Sequence, residues 1–88
     1  MDRRVIYLRP AQGSRIDQQI GARLAKLRVG AGISLGDMAG RLGISIGRMV
    51  LLETGDRRAS PEVLMAACSI LKVSIADIYA GALLPAAE

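Results

Sequence analysis

Arginine is the residue type with which this chain is best able to do chemistry. Ten of its twelve basic residues are Arg, and only Lys26 and Lys72 are Lys. The planar guanidinium group can bind a phosphate, or the major-groove edge of guanine, through two parallel hydrogen bonds. The charge is unevenly distributed, with a formal +6 in residues 1–58 and −2 in residues 59–88. This asymmetry favours a face that binds a polyanion, although a small Arg-rich protein can also reach it by chance.

Other kinds of chemistry lack the residues that they need. The chain of 88 residues has no His and one Cys, Cys68, which excludes the usual zinc sites and Ser-His or Cys-His nucleophiles. It also has no Gly-rich phosphate loop of the GxxxxGKS type. We therefore expect no enzymatic activity, no cofactor and no metal. The apolar runs are too short for a membrane span or a signal peptide, so we expect a cytoplasmic protein that does not contact membranes.

The elements that must position the arginines centre on Ser34–Gly55, a stretch whose pattern predicts two short helices joined by a tight turn. Ser34 can cap the first helix, with Asp37 as its capping-box partner. Gly43 can adopt the left-handed conformation that ends this helix, and Ser45 can cap the second. The apolar positions recur at helical spacing, at Leu35, Met38, Ala39 and Leu42 and then at Met49 and Leu52. This is the helix-turn-helix pattern, whose second helix enters the DNA major groove.

Three further helices are expected to support this pair. Apolar spacing and cap signals place them at about residues 16–29, 61–71 and 75–81. Ser60 and Ser74 can cap the last two, with Asp77 as the capping-box partner of Ser74, and Gly81 is expected to end the last. The inward side chains are expected at Ile16, Ile20, Leu24 and Leu27, at Leu64, Ala67, Cys68 and Leu71, and at Ile75, Ile78 and Tyr79.

The two ends of the chain are expected to lie outside the helical domain. We predict a basic N-terminal arm at residues 1–15, a helix-turn-helix domain at 16–81 and a C-terminal tail at 82–88. Three interpretations of the arm stay open. It can be a disordered tail, an arm whose Arg3, Arg4 and Arg9 bind a DNA groove or backbone, or a strand at Val5–Leu8 that pairs with a second subunit.

The family that this chain resembles is the Xre/Cro-type helix-turn-helix family of phage-repressor-like DNA-binding domains. The likeness covers residues 20–79, IGARLAKLRVGAGISLGDMAGRLGISIGRMVLLETGDRRASPEVLMAACSILKVSIADIY. It is carried by the joint spacing of IS, MA, LGIS, LLETG, SPEVL and LKVS. The resemblance implies an all-α fold of five helices, here with a flexible or strand-forming N-terminal segment. It also implies dimeric binding to inverted-repeat operators and, in most cases, repression.

The resemblance further implies structural roles for individual residues. Arg28 and Glu53 match the positions of an Arg–Glu pair that joins the first helix to the end of the recognition helix, so we expect a partly buried salt bridge. Cys68 falls where the family usually has a small buried Ala, which implies core packing. Lys72 stands where the family usually has a C-terminal Gly.

The outward residues of the recognition helix depart from the family. Polar residues usually open this helix and bind base edges, whereas here Ile46 and Gly47 open it, Val50 and Leu51 follow, and Arg48 is the only charge. We therefore expect few direct base contacts, with affinity supplied by surrounding arginines and specificity by thymine methyls, DNA shape or the N-terminal arm. The expected DNA contacts are Arg48, Ile46, Gly47 and Leu51, with Leu35 and Thr54, and with Arg41, Arg57 and Arg58 on phosphates.

Two functions from different classes remain open. The first is a DNA-binding transcriptional regulator, in particular a repressor that acts as a homodimer on double-stranded DNA. The alternative is a protein-interaction module, antitoxin-like or specific for a polymerase subunit or co-regulator, whose docking patch is the apolar part of the recognition helix. A dimer is expected in both cases, through the fifth helix and tail or through Val5–Leu8. The expected dimer contacts are Ile78, Tyr79, Leu83 and Leu84.

Overall fold

The computed structural model describes residues 14–83, and the side chains of residues 14–80. Regular structure in this part of the chain consists of five helices. They are α1 Arg15–Gly30, α2 Leu35–Leu42, α3 Ile46–Thr54, α4 Pro61–Leu71 and α5 Ile75–Leu83. The all-α fold of five helices implied by the resemblance is therefore confirmed. The possible strand at Val5–Leu8, the three arginines predicted for a DNA arm (Arg3, Arg4 and Arg9) and Leu84 lie outside the described residues.

Serine caps begin the helices, and one predicted capping box is complete. At the start of α5, the N–H of Asp77 donates to Oγ of Ser74 at 3.0 Å, and the N–H of Ser74 donates to Oδ2 of Asp77 at 2.9 Å. Hydrogen bonds from the backbone N–H and the side chain of Ser74 to the ionised carboxylate lower the pKa of Asp77. The capping box predicted at Ser74 is confirmed.

The first helix begins earlier than the apolar stripe indicates. Ser14 is its cap: Oγ of Ser14 accepts from the N–H of Asp17 at 3.0 Å, and the N–H of Ser14 donates to Oδ2 of Asp17 at 3.3 Å. This capping box makes Arg15 the first residue of α1. The Ser-x-x-Asp spacing at residues 14–17 was the available signal for it.

Two other predictions, one about the start of α2 and one about the end of α5, are wrong in detail. Oγ of Ser34 accepts from the N–H of Asp37 at 3.0 Å, but the carboxylate of Asp37 binds Arg41 instead of completing a capping box. The last helix continues past Gly81 to Leu83. A single Gly costs a helix only about 1 kcal/mol, and alanines stand on both sides of this one, so the helix is not forced to end there.

The core is aliphatic and receives side chains from all five helices. Its most buried members are Leu24, Met38, Met49 and Ile78. Ile78 is 0% exposed, so it packs inside one subunit, and its predicted role as a dimer contact is wrong. Ile16, predicted to face inward, is 41% exposed. Cys68 is a buried free thiol within this core, as predicted, and burial raises its pKa, as does the charge of Asp77 to a smaller extent.

A left-handed residue ends α4 without a Gly. Lys72, the residue after this helix, has φ 60° and ψ 44° and donates its N–H to the carbonyl of Cys68. It is the only non-Gly residue with positive φ among residues 14–83. The conformation costs an L-residue about 1–2 kcal/mol, which explains why Gly suits this position better.

The backbones of α1 and α3 meet where α1 carries a Gly. A Cβ atom built on Gly21 would overlap the carbonyl oxygen of Leu52 and lie 2.7 Å from that of Glu53. On the other side of the contact, a Cβ on Gly55, which has φ +84°, would overlap the Cα of Gln18. Neither position has room for a side chain, because the opposing atoms are backbone or lie close to it. The α1–α3 contact therefore requires Gly at both positions.

Gly21→Ala and Gly40→Ala should change stability in opposite directions. Gly40 lies inside α2, and a Cβ there would meet nothing within 4 Å. Adding a methyl group at Gly40 should stabilise the protein by about 1 kcal/mol through helix propensity. The same methyl group at Gly21 should destabilise it by about 3 kcal/mol or more, since backbone carbonyls cannot move aside as a side chain can. Urea denaturation measures both, and equal effects of the two substitutions would contradict the close contact.

Candidate DNA-binding surface

The turn between α2 and α3 sets the angle at which α3 leaves the domain. Gly43 ends α2 with φ 73° and ψ 29°, and its N–H donates to the carbonyl of Gly40 at 3.1 Å. The N–H of Ile44 donates to the carbonyl of Ala39 at 3.0 Å, which closes the turn. Oγ of Ser45 then accepts from the N–H of Arg48 at 3.0 Å and begins α3. The turn thus needs three residues and no other element.

The inner face of α3 fixes which residues point outward. Met49 and Leu52 are buried and pack with Met38 and Ala39 of α2 in or beside the same core. The other residues among the first six of α3 are exposed, with Arg48 beside Leu52 and the rest on the side away from the core. We call these residues the outer face of α3, namely Ile46, Gly47, Arg48, Val50 and Leu51.

The outer face of α3 brings together four of the predicted DNA contacts: Arg48, Ile46, Gly47 and Leu51. Ile46 is 55% exposed and Leu51 is 37% exposed. Thr54, at the end of the helix, is exposed, but its hydroxyl lies 3.2 Å from the carbonyl of Leu51 and 3.0 Å from Oδ2 of Asp56. Its single proton is therefore used inside the protein. Leu35 is half-buried against the core, so packing accounts for it better than a base contact.

The predicted phosphate-binding arginines differ in their partners. Arg41 forms an exposed pair with Asp37, with Nη2 and Oδ2 3.1 Å apart. Nε of Arg58 lies 3.3 Å from Oδ1 of the buried Asp17, while the Arg58 side chain itself stays 76% exposed. Within residues 14–80, the guanidinium groups of Arg48 and Arg57 have no hydrogen-bond or ion-pair partner.

An ion pair fixes the far end of α3 to α1. Nε of Arg28 donates to Oε2 of Glu53 at 2.6 Å, and Nη2 donates to Oε1 at 3.1 Å, so the pair predicted from the resemblance is present. The side chains are only 14% and 10% exposed. Nη1 of Arg28 also donates to the carbonyl of Ile33 at 2.8 Å. The hydrogen bond to Glu53 raises the pKa of Arg28. One guanidinium group thus joins α1, the loop before α2, and α3.

A second surface, which we call the apolar groove, was not predicted as a unit. It is a cavity of about 690 Å³ between α1, α4, α5 and the loop before α4, which lines it with Arg57 and Arg58. Four exposed apolar side chains border it: Ile16, Met65, Ile75 and Tyr79. Tyr79, a predicted dimer contact, lies in this groove. Leu83 belongs to α5, but its side chain is outside the described part of the chain. The periodicity of α1 placed Ile16 in the core because spacing alone cannot tell a buried face from an exposed groove.

The described residues offer no other recognisable type of site. No cluster of three or more His, Cys, Asp or Glu side chains that could hold a metal ion occurs among them. None of their helices is long and apolar enough to cross a membrane.

Comparison with known families identifies one that spans most of the chain. The family model described as "Helix-turn-helix domain" matches residues 19–79, which run from α1 through α5. Comparison with curated proteins gives no match.

Solved structures with the same fold include gene regulators. The clp gene regulator ClgR from Corynebacterium glutamicum matches with a TM-score of 0.79 and 29% identity, over 85% of this chain and 80% of ClgR. A second structure of ClgR from C. glutamicum gives a TM-score of 0.75 and 30% identity, over 80% of this chain and 91% of that one. The restriction-modification controller protein C.AhdI from Aeromonas hydrophila matches at a TM-score of 0.65 and 23% identity, over 69% of this chain and 92% of C.AhdI, a likeness of fold alone.

The Arg28–Glu53 pair should contribute far more to stability than the Arg41–Asp37 pair. Arg28→Ala leaves a partly buried carboxylate without its partner and should cost about 3–5 kcal/mol. Arg41→Ala removes an exposed pair of the same chemistry and should cost no more than about 0.5 kcal/mol. Urea denaturation of both variants provides the matched comparison. Similar losses in the two variants would mean that the Arg28–Glu53 pair does not fix α3 to α1.

Proposed function

The chain belongs to the helix-turn-helix family and is a DNA-binding transcriptional regulator of the Xre/Cro type, and we propose that it represses transcription as a homodimer. The observation that carries DNA binding is the outer face of α3, which the packing of Met49 and Leu52 leaves exposed and which contributes little to the core. The similarity to ClgR, a clp gene regulator, is consistent with control of specific genes. In this family a second helix of this kind enters the major groove.

The proposed affinity comes mainly from arginines around α3. Arg48 and Arg57 can bind phosphates directly, because their guanidinium groups have no partner within residues 14–80. The charges of Arg41 and Arg58 are already partly balanced by Asp37 and Asp17, so a phosphate gains less from binding them. Each phosphate that is neutralised releases counterions and steepens the log–log salt dependence of binding by about 0.9. We therefore assign the larger net contributions to Arg48 and Arg57.

The proposed homodimer uses the apolar groove. Ile75 and Tyr79 on α5, Met65 on α4 and Ile16 on α1 place four large apolar side chains around one cavity. Such clusters on a small protein commonly mark contact surfaces. A two-fold pair of subunits would present two copies of α3 to two half-sites and so double the number of base pairs covered.

One observation favours the second candidate, a protein-interaction module. Ile46, Val50 and Leu51 form an apolar patch on the helix that in DNA readers usually carries polar groups. The patch could contact a co-regulator or a polymerase subunit. The two candidates differ in what the arginines do, since only DNA binding requires a steep salt dependence.

DNA binding should depend on Arg48 and Arg57 and should weaken steeply with salt. Each of Arg48→Ala and Arg57→Ala should weaken binding of duplex DNA and reduce the log–log salt slope by about 0.9. Lys72→Ala, at the end of α4, removes the same charge and serves as the control. Fluorescence anisotropy of labelled duplexes across a salt series measures the slopes. If the protein does not bind duplex DNA at low salt but binds a partner protein, and Leu51→Asp abolishes that protein–protein binding, the result would support the interaction module instead.

The dimer should depend on the apolar groove. Met65→Glu places a charge at its border and should raise the dimer dissociation constant by at least about tenfold, because the carboxylate would lose its hydration in the subunit contact and the apolar contact of Met65 would be lost. Val29→Glu alters an equally exposed apolar residue that does not border the groove, and it should leave the dimer intact. Sedimentation equilibrium separates these outcomes. A Met65→Glu variant that still dimerises like the wild type would place the dimer contact elsewhere.

A further inference from the structure

The outer face of α3 has a single side chain that can hydrogen-bond to a base. The hydroxyl proton of Thr54 is used within the protein, and Ser45, the cap whose Oγ accepts the N–H of Arg48, precedes the helix and is not part of this face. The Arg48 guanidinium is the only polar side-chain group left on this face. One guanidinium can make at most one bidentate contact with a guanine. Hydrogen bonding alone therefore gives α3 very little sequence information.

The rest of the outer face consists of methyl groups. Ile46, Val50 and Leu51 are between 37% and 55% exposed and lie on one side of the helix. Gly47, between them, adds no bulk, and a Cβ built there would meet nothing within 4 Å. Gly36 is the residue of α2 that faces Ile46: a Cβ atom built on Gly36 would lie 3.5 Å from Cδ1 of Ile46. Because this residue is Gly, α2 places no side chain over Ile46 at this point. The surface is therefore apolar and exposed.

The major groove of DNA offers one matching apolar group, the C5-methyl of thymine. We infer that α3 recognises DNA chiefly through thymine C5-methyl groups, which pack against Ile46, Val50 and Leu51, while Arg48 binds a phosphate as proposed above. This inference rests on the proposed DNA binding. The exposed Arg41 on α2 and Arg57 in the loop after α3 add positive charge that can bind DNA phosphates. The expected ligand is duplex DNA rich in A·T pairs.

The effect of each thymine methyl group on DNA affinity can be estimated. Burying one methyl group against an apolar side chain strengthens binding about fourfold. Replacing thymine by uracil removes this methyl group and leaves the hydrogen-bonding edges of the base pair unchanged. In a duplex of alternating A·T pairs, each base pair carries one thymine methyl, so the protein meets methyl groups in whichever register it binds.

The test compares two DNA duplexes of about 20 base pairs, long enough for two half-sites: one with alternating A·T pairs, and one in which deoxyuridine replaces every thymidine, called the A·U duplex. Anisotropy should give the wild-type protein a Kd at least about fourfold lower for the A·T duplex. Ile46→Ala and Leu51→Ala should each bring the ratio of the two Kd values closer to one and leave the salt slope unchanged. Val29→Ala changes an exposed apolar residue on α1 that lies outside both the outer face of α3 and the apolar groove, so it is the matched control and should leave the ratio unchanged.

The possible failures are distinguishable. Equal Kd values for the two duplexes, with a steep salt dependence, would overturn recognition of methyl groups but leave DNA binding intact. A preference for the A·T duplex that persists undiminished in both Ile46→Ala and Leu51→Ala would also overturn it, because the preference would then come from duplex shape. No salt-sensitive binding to either duplex would reject the proposed DNA binding itself.

Discussion

The position of α3 depends on a contact in which its backbone rests directly on that of α1. Gly21 of α1 lies against the carbonyls of Leu52 and Glu53, and Gly55 lies against Gln18. Contacts between backbones leave little freedom to slide or rotate, because no side chain can change its rotamer to accommodate a shift. The bidentate Arg28–Glu53 pair reinforces the same junction and also holds the carbonyl of Ile33 in the loop before α2. Contacts with α1, on the side away from the outer face, thus fix the angle of the recognition helix α3.

This arrangement separates the support of α3 from its outer face. Met49 and Leu52 pack inward, and Glu53 binds Arg28, so the exposed residues of α3 are left for a ligand. Substitutions on the outer face should therefore change binding more than stability. The same separation holds for the proposed roles, in which arginines provide non-specific affinity through phosphates and apolar side chains provide the selectivity.

Sequence reasoning predicted those features that are encoded locally. Serine caps, the left-handed Gly43 and the apolar spacing of each helix depend on residues three or four positions apart, so the number and order of the helices followed from the sequence. The Arg28–Glu53 pair, 25 residues apart, came only from the family resemblance. The apolar face of α3 was also legible, because its inward residues Met49 and Leu52 identified the outward ones.

Features that depend on contacts between distant helices were missed or misjudged. Nothing local distinguishes Gly21, which must be Gly, from Gly40, which need not be. Ile78 and Ile16 both occupy apolar stripes, yet one is buried in the core and the other borders the groove. Asp37 could have completed a cap but binds Arg41 one turn later. In each case the outcome depends on which helix packs alongside, and the spacing of residues in one helix does not contain that information.

The central claim is that the outer face of α3, and not the apolar groove, is the surface that meets DNA. Methyl-selective NMR tests it directly, because both surfaces carry methyl groups: Ile46, Val50 and Leu51 on α3, and Ile16, Met65 and Ile75 around the groove. On addition of an A·T-rich duplex, we expect the resonances of the α3 methyl groups to shift most, while those of the groove change little beyond the effect of dimerisation already present in the free protein. Large shifts at Met65 and Ile75 with unchanged signals from Ile46 and Leu51 would contradict the claim.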